Sequence, residues 1–141
     1  MSLDRFCRRP LAIVHETDNV YAAARTMRDY HVGAVVVVDE AGSTPVGLLT
    51  DRDIACRVVA QGMNPKFIGV TSVMSHHPIV ARRDEDIDGA VMRMREAGVR
   101  RLPIVDEQGK LAGFMALDDL TVLLAGEMEQ AASVLRANRG P

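Results

Sequence analysis

The stretch Val32-Gly-Ala-Val-Val-Val-Val-Asp-Glu40 returns later in the chain as Val99-Arg-Arg-Leu-Pro-Ile-Val-Asp-Glu107, and this return decides the fold. The same shift lays Val20–Arg28 over Ile87–Arg95. The residues that are identical in this register are Ala23, Met27, Arg28, Val32, Val38, Asp39, Glu40 and Gly42. Self-similarity at one fixed shift is the signature of a duplicated structural unit. The chain is therefore a tandem repeat.

Each copy has the same hydrophobic pattern, which predicts the order β-α-β-β-α twice. The predicted strands are Leu11–Val14, Ala34–Val38 and Val46–Leu49 in the first copy, and Ile79–Ala81, Leu102–Val105 and Leu111–Met115 in the second. Between them lie amphipathic segments with helical spacing. Three short strands bury too little surface to be stable alone. We therefore expect the two repeats to pack sheet to sheet about a pseudo-two-fold axis. The expected fold class is α/β in the broad sense, and α+β in the narrower sense.

The repeats are expected at residues 8–65 and 70–136, with a linker at 61–70. The last helix is expected from Leu117 to about Arg136. Its apolar stripe is longer than one small core requires and comprises Leu120, Leu123, Leu124, Met128, Ala131, Val134 and Leu135. We expect this stripe to contact a second protomer in a homodimer.

Composition excludes several classes of protein. The chain has 141 residues, of which 48% are hydrophobic, so it is expected to be globular rather than disordered. A formal charge of −2 implies no general polyanion-binding surface. The longest apolar run, Val32–Val38, is too short to span a membrane, and the N-terminus lacks the apolar stretch of a secretory signal. Cys7 and Cys56 form no disulfide framework. The expected location is the cytoplasm.

A resemblance to a known family rests on several motifs. Gly47-Leu-Leu-Thr-Asp-Arg-Asp-Ile54 is similar to the Gly-x-x-Thr-x-x-Asp signature of the cystathionine-β-synthase (CBS) domain. Val73-Met-Ser75 before the second copy and the two repeated central strands match as well. The chain resembles a tandem CBS pair, or Bateman module, of the small stand-alone bacterial kind that includes the hypoxic response type. We expect a disk-like homodimer, and we expect no enzymatic activity because no catalytic arrangement stands out in the sequence.

The resemblance also implies an adenosine-containing ligand, such as AMP, ADP or ATP, in a cleft between paired repeats. In the first copy, Asp53 would accept hydrogen bonds from the ribose hydroxyls, and Thr50 would lie beside the ribose or phosphate. Ile13, with Leu11 and Ala12, would flank the adenine. The chemistry agrees, because one carboxylate can accept both hydroxyls of a ribose.

The phosphates would face Arg100 and Arg101, which match a basic position of the family. Two adjacent arginines offer the forked donors that phosphate oxygens fit. The second copy departs from the pattern: Asp119 is retained, but Ala116 replaces the threonine. We therefore expect a weaker second site at Asp119. We expect the ligand to be regulatory and its signal to act on a separate effector protein.

Other interpretations remain open for the same residues. Thr50-x-x-Asp53 is also a helix capping box, and Ile13 is by default a core residue. Arg100 and Arg101 also fit a solvated or salt-bridged pair. No metal is expected at His76-His77, because neighbouring side chains on an extended segment point in opposite directions. No motif of a nucleophile elbow or a phosphate loop is present.

Rival functions follow from these alternatives. The chain could be a ligand-free dimerisation module, or it could bind S-adenosylmethionine, which needs no phosphate-facing arginines. Nucleic-acid binding is disfavoured by the net charge and by the scattered aromatic residues. The sequence does not rank AMP, ADP and ATP.

Overall fold

The computed structural model of the protein describes residues 1–8 and 10–139. The strands are β1 (Ile13–His15), β2 (Ala34–Val38), β3 (Pro45–Thr50), β4 (Ser75–His76), β5 (Ala81–Arg82), β6 (Arg101–Val105) and β7 (Leu111–Ala116). The helices are α1 (Val20–Tyr30), α2 (Asp51–Ile54), α3 (Ile87–Ala97) and α4 (Leu117–Ala137). A π-helical turn, Ala55–Val59, extends α2, and short 3-10 helices lie at Leu3–Cys7, Pro65–Phe67 and Val70–Ser72.

Two sheets with matching topology carry the repeats. The first has the order β1-β2-β3-β4 and the second the order β5-β6-β7. In each sheet a short parallel pair, β1·β2 or β5·β6, is followed by an antiparallel hairpin, β2·β3 or β6·β7. The crossover between the parallel strands is α1 in the first repeat and α3 in the second. The predicted duplication and mixed fold are confirmed.

The central strands β2 and β6 have buried residues on both faces. Val35 and Val37 belong to the core of the first repeat, while Val36 on the opposite face is equally buried. Leu102 and Ile104 of β6 lie in the second core. Near the hairpin turns, the backbone N–H of Leu111 donates to the carbonyl of Ser43 at 2.7 Å. The uninterrupted apolar sequence of β2 is thus the sequence of a doubly covered strand.

The segment in front of each repeat packs against the other repeat. Leu3 and Phe6, in the first lead segment (Leu3–Cys7), are buried in the core of the second repeat. Val70, Val73 and Met74, in the second lead segment (Val70–His76), are buried in the core of the first. Each core is therefore completed by residues that precede the opposite repeat in sequence.

Two strands begin later than the sequence predicts, and the first of them is β1, which starts at Ile13 rather than at Leu11. The strand expected at Ile79–Ala81 begins only at Ala81, because His77 has a positive φ of 51° and Pro78 follows it without a backbone donor. Along α4 only Leu120 is buried and Leu123 is partly buried. The apolar side chains farther along α4 are exposed, including Leu124 at 44% and Met128 at 73%.

Candidate functional site

A cleft of about 470 Å³ lies between the two repeats. The segment before β1, the start of β2, the strands β6 and β7, and the first turn of α4 form its walls. Its lining comprises Phe6, Pro10, Leu11, Ala12, His31, Val32, Gly33, Ala34, Val36, Arg100, Arg101, Phe114, Ala116, Asp118 and Asp119. Both repeats thus contribute, so a molecule held in the cleft would contact both.

The apolar wall combines Leu11 and Ala12 with two aromatic residues, Phe6 and Phe114. Leu11 and Ala12 are partly buried, and the carbonyl of Ala12 accepts a hydrogen bond from the N–H of Val36 at 3.0 Å. Phe6 is 7% exposed because the first lead segment packs onto the second repeat. The sequence gives no sign that the aromatic pair belongs here, because only the exchange of lead segments brings Phe6 to this wall.

The charged wall contains the predicted arginines. Arg100 Nη2 lies 2.9 Å from Asp118 Oδ1, and both side chains are exposed. Arg100 thus forms the salt bridge that is one of the alternative interpretations of this residue. Arg101 is partly buried, and its Nη2 lies 3.4 Å from the position of an ideal Cβ on Gly33. The absence of a side chain at Gly33 lets this guanidinium approach the strand β2.

Asp119 stands in the first turn of α4 and is partly buried at the cleft. The N-cap residue of this helix is Ala116, which provides no side-chain hydrogen bond to the first turn. The N–H of Leu117 donates to the carbonyl of Arg100 at 2.8 Å. The first turn of a helix presents backbone donors and a positive dipole end, both of which favour an anion.

Thr50 and Asp53 form a capping box at the start of α2. Thr50 Oγ1 accepts from the N–H of Asp53 at 3.1 Å, and Asp53 Oδ2 accepts from the N–H of Thr50 at 3.0 Å. Arg57 Nε lies 3.9 Å from Asp53 Oδ1, and the Asp53 side chain is 17% exposed. The capping interpretation is thus confirmed, and it leaves the ligand-binding prediction as a second role for the same side chains.

The structure divides the predicted site residues into two groups. Leu11, Ala12, Arg100, Arg101 and Asp119 line the cleft together, whereas Ile13, Thr50 and Asp53 are not among its lining residues. Ile13 lies in β1, paired with Val36. Each group contains the aspartate of one repeat, since Asp53 and Asp119 hold matching positions in the duplication.

The histidine pair and the thiols lie outside this cleft. His76 Nε2 is 2.8 Å from the carbonyl oxygen of Thr71, and the rings of His76 and His77 are 6.4 Å apart. Within residues 1–8 and 10–139, no group of three or more His, Cys, Asp or Glu side chains is arranged to hold a metal ion. Cys7 and Cys56 are free thiols, and burial raises the pKa of Cys7 above its usual value. In the same residues, no helix has the length and hydropathy that a membrane span requires.

Comparisons with known proteins agree with this architecture. A family model of the CBS domain matches residues 3–60 and 70–126. An uncharacterized protein of Methanopyrus kandleri, MK0525, is 36% identical over 85% of this chain, which spans 61% of that protein's length.

Solved structures with the same fold carry different bound groups. A CBS domain protein from Pyrobaculum aerophilum, complexed with AMP, has a TM-score of 0.78 and 24% identity over 89% of this chain and 97% of its own. Hypoxic Response Protein I, solved with two coordinated zinc ions, has a TM-score of 0.75 and 25% identity over 86% of this chain and 97% of its own. The duplicated β-α-β-β-α unit, the cleft between its copies and the matching of both copies to one family model lead to one conclusion: the chain belongs to the CBS domain family as a tandem pair.

Proposed function

We propose that this chain is a regulatory module that binds an adenine nucleotide in the cleft between its repeats and signals to a separate effector protein. The observation that carries the proposal is the composition of the cleft: an apolar aromatic wall, two carboxylates and two arginines line one cavity of about 470 Å³. A volume of this size is in the range that holds small-molecule ligands, about 300–1,000 Å³. Binding of AMP by the Pyrobaculum aerophilum protein with the same fold supports the choice of ligand.

The adenine would lie against Leu11, Ala12 and Phe114. A planar, weakly polar ring gains most from flat apolar and aromatic surfaces, and stacking of a base on an aromatic side chain contributes about 1–3 kcal/mol. Polar groups at the rim then orient the ligand, as in most small-molecule sites.

The ribose would be held by a carboxylate, either Asp119 or Asp53. The sequence predicts the weaker site at Asp119, but we favour Asp119 as the first site to fill, because it lines the same cleft as Leu11, Ala12 and the arginines. Asp53 is proposed for a second position related by the duplication. Its Oδ2 already accepts the N–H of Thr50, so a ribose there would share a carboxylate that also caps α2.

The phosphate would face Arg101 and the first turn of α4. Arg101 is supported by its approach to Gly33, and the helix by the lack of a side-chain cap at Ala116. Arg100 would have to exchange Asp118 for phosphate, which costs little because exposed ion pairs contribute only about 0–1 kcal/mol. Since both repeats line the cleft, the bound ligand would favour one relative arrangement of the repeats, which is the signal an effector could recognise.

The test is isothermal titration of ligand-stripped protein with AMP, ADP, ATP and S-adenosylmethionine, using wild type, Asp119→Ala and Asp53→Ala. Asp119→Ala should weaken nucleotide binding by roughly 1.5–3 kcal/mol, the value of a hydrogen bond to a charged group. Asp53→Ala is the matched control and should leave the tighter site intact. Unchanged affinity in both variants would refute the ribose assignment, and the absence of heat with every ligand would refute the proposed function.

S-adenosylmethionine is separated from the nucleotides by the arginines. Replacing Arg101 by alanine should weaken AMP binding and leave a ligand without phosphate nearly unaffected. Equal losses for AMP and S-adenosylmethionine would show that Arg101 supports the cleft rather than the phosphate.

A second candidate function, dimerisation without a ligand, is favoured by α4. Leu124, Met128 and Leu135 are large apolar side chains that remain exposed on this helix, at 44%, 73% and 66%. We propose a second copy of the chain as the occupant, because an extended apolar stripe on one long helix fits the same stripe of a symmetry-related copy. Met128→Glu should convert a dimer to a monomer in sedimentation velocity while leaving the fold unchanged. A monomeric wild type would overturn the dimer.

A further inference from the structure

Two charged side chains from different repeats converge on Gly33. Asp51 Oδ2 lies 3.1 Å, and Arg101 Nη2 lies 3.4 Å, from the position of an ideal Cβ on this glycine. Asp51 begins α2 in the first repeat, whereas Arg101 begins β6 in the second. Gly33 itself lines the cleft between the repeats. A carboxylate and a guanidinium therefore approach the same point of the cleft wall.

The carboxylate of Asp51 is held in this position by two hydrogen bonds of its own turn. The backbone N–H of Asp51 donates to the carbonyl of Gly33 at 2.9 Å. Asp51 Oδ1 accepts the N–H of Arg52 at 2.8 Å. Because Oδ1 is engaged by the helix, Oδ2 is the oxygen that approaches Gly33. The residue is exposed, so a ligand group that reaches Gly33 meets the negative charge of this carboxylate.

The fold does not require an acidic side chain at this place. In the duplication, Asp51 matches Leu117 of the second repeat. Gly33 matches Arg100 in the same way. The backbone contact is kept, because the N–H of Leu117 donates to the carbonyl of Arg100 at 2.8 Å. The charge of Asp51 is thus a feature of one repeat and not part of the shared scaffold, which leaves ligand recognition as its role.

The proposed position of the phosphate brings it close to this carboxylate. Arg100 is already paired with Asp118 at 2.9 Å, so Arg101 is the arginine whose contact with a phosphate requires no exchange of that pair. Arg101 and Asp51 approach the same glycine, however. One phosphate brings about −1.5 to −2 charge, and each further phosphate adds about −1 beside the carboxylate. Like charges brought together in a site discriminate against the ligand that carries more of them.

We propose that Asp51 is a specificity-determining residue that limits the anionic part of the ligand to a single phosphate. The cleft then prefers AMP to ADP, and ADP to ATP. The inference rests on the proposed function, because it concerns the phosphate of the same ligand. It adds a ranking of the three nucleotides, which the repeated motifs do not contain.

The test compares AMP, ADP and ATP by isothermal titration at pH 7.5 with EDTA present, so that no divalent cation offsets the charge of the phosphates. The variant is Asp51→Asn, whose amide oxygen can still accept the N–H of Arg52. The matched control is Asp88→Asn. Asp88 is an exposed carboxylate in the first turn of α3 and does not line the cleft, so its replacement changes the net charge equally.

Wild type should bind AMP most tightly and ATP least tightly. In Asp51→Asn the affinity for ATP should rise about three- to tenfold, since ATP carries two phosphates more than AMP and exposed charge pairs contribute modestly. The affinity for AMP should change by less than about twofold, and Asp88→Asn should match wild type for all three ligands.

Three results would overturn the role of Asp51 and leave the nucleotide site standing. They are equal affinities of wild type for AMP and ATP, a ratio of these affinities that is the same in Asp51→Asn as in wild type, and a change of the same size in Asp88→Asn. If wild type binds none of the nucleotides, the proposed function fails and this inference fails with it.

Discussion

Replacement of Gly113 by alanine tests the exchange of lead segments directly. A Cβ on Gly113 would lie 2.6 Å from the carbonyl oxygen of Phe6, 2.8 Å from Cys7 Sγ and 3.0 Å from Cys7 Cα. Two of these atoms belong to the backbone, so no side-chain rotation relieves the contact. The first lead segment would have to move away from β7.

The cost follows from what this segment buries. Leu3 is fully buried and Phe6 is 7% exposed, and both belong to the core of the second repeat. Complete expulsion of both side chains would cost about 3–6 kcal/mol, from about 1.5–3 kcal/mol for each. A shift without expulsion costs about 1–3 kcal/mol, as in overpacked cores. Alanine also restricts the unfolded chain, which offsets about 0.4–1 kcal/mol. We expect a net loss of about 2 kcal/mol in the free energy of unfolding.

The assay is urea denaturation followed by far-ultraviolet circular dichroism, with Gly89→Ala as the matched control. Gly89 lies on α3, where an added Cβ meets no atom within 4 Å. The same chemical change should therefore stabilise the protein there, by up to about 1 kcal/mol. Because Phe6 lines the cleft, Gly113→Ala should weaken AMP binding as well, whereas Gly89→Ala should not. A Gly113→Ala protein as stable as wild type would refute the packing of the lead segment against β7.

Three further changes have expected outcomes. Thr50→Ala removes the cap of α2 and should lower the free energy of unfolding by about 1 kcal/mol in chemical denaturation. Its control is Ala116→Thr, at the matching position of the second repeat, which should not lower the stability. Equal losses of stability in both variants would contradict the capping role of Thr50. The backbone N–H groups of Ser43 and Thr44 hold the pKa of Asp39 below its ordinary value of 3.8. The stabilisation that this gives is present above that pH and is lost as the pH falls through the lowered pKa. In thermal melts, Asp39→Asn should therefore have a lower melting temperature than wild type at pH 7 and a smaller difference toward pH 3, and a difference independent of pH would contradict this. Cys56 is exposed whereas burial raises the pKa of Cys7, so a thiol reagent at pH 7.5 should modify Cys56 first in mass spectrometry, and preferential labelling of Cys7 would contradict its burial.

The duplication and its elements could be predicted because they are local properties of the sequence. The run at Ala34–Val38 predicts a strand covered on both faces, and the structure has β2 at these residues. The spacing of Thr50 and Asp53 predicts a capping box, which α2 has. Hydrophobic spacing and cap residues depend on neighbours a few positions away, and a single sequence contains that information.

The composition of the cleft could not be predicted in the same way. The resemblance groups Leu11 and Ala12 with Asp53, whereas the cleft groups them with Asp119. The difference arises because the first lead segment carries the chain across to the second repeat before β1 begins. Such an exchange leaves no periodic signal, since Leu3 and Phe6 would look equally apolar in either core. His31 and Phe114 were missed for the same reason: their place at the cleft depends on long-range packing.

The exchange of lead segments has a consequence for cooperativity. A fragment that begins at the second repeat would lack Leu3 and Phe6, and a fragment that ends before Val70 would lack Val70, Val73 and Met74. Neither half contains its own complete interior, so the chain has no point at which one cut yields two self-sufficient folding units. Unfolding should then be a single transition in which both halves melt together. A molecule that stabilises one half must therefore stabilise the other, because each lead segment belongs to the core of the opposite half.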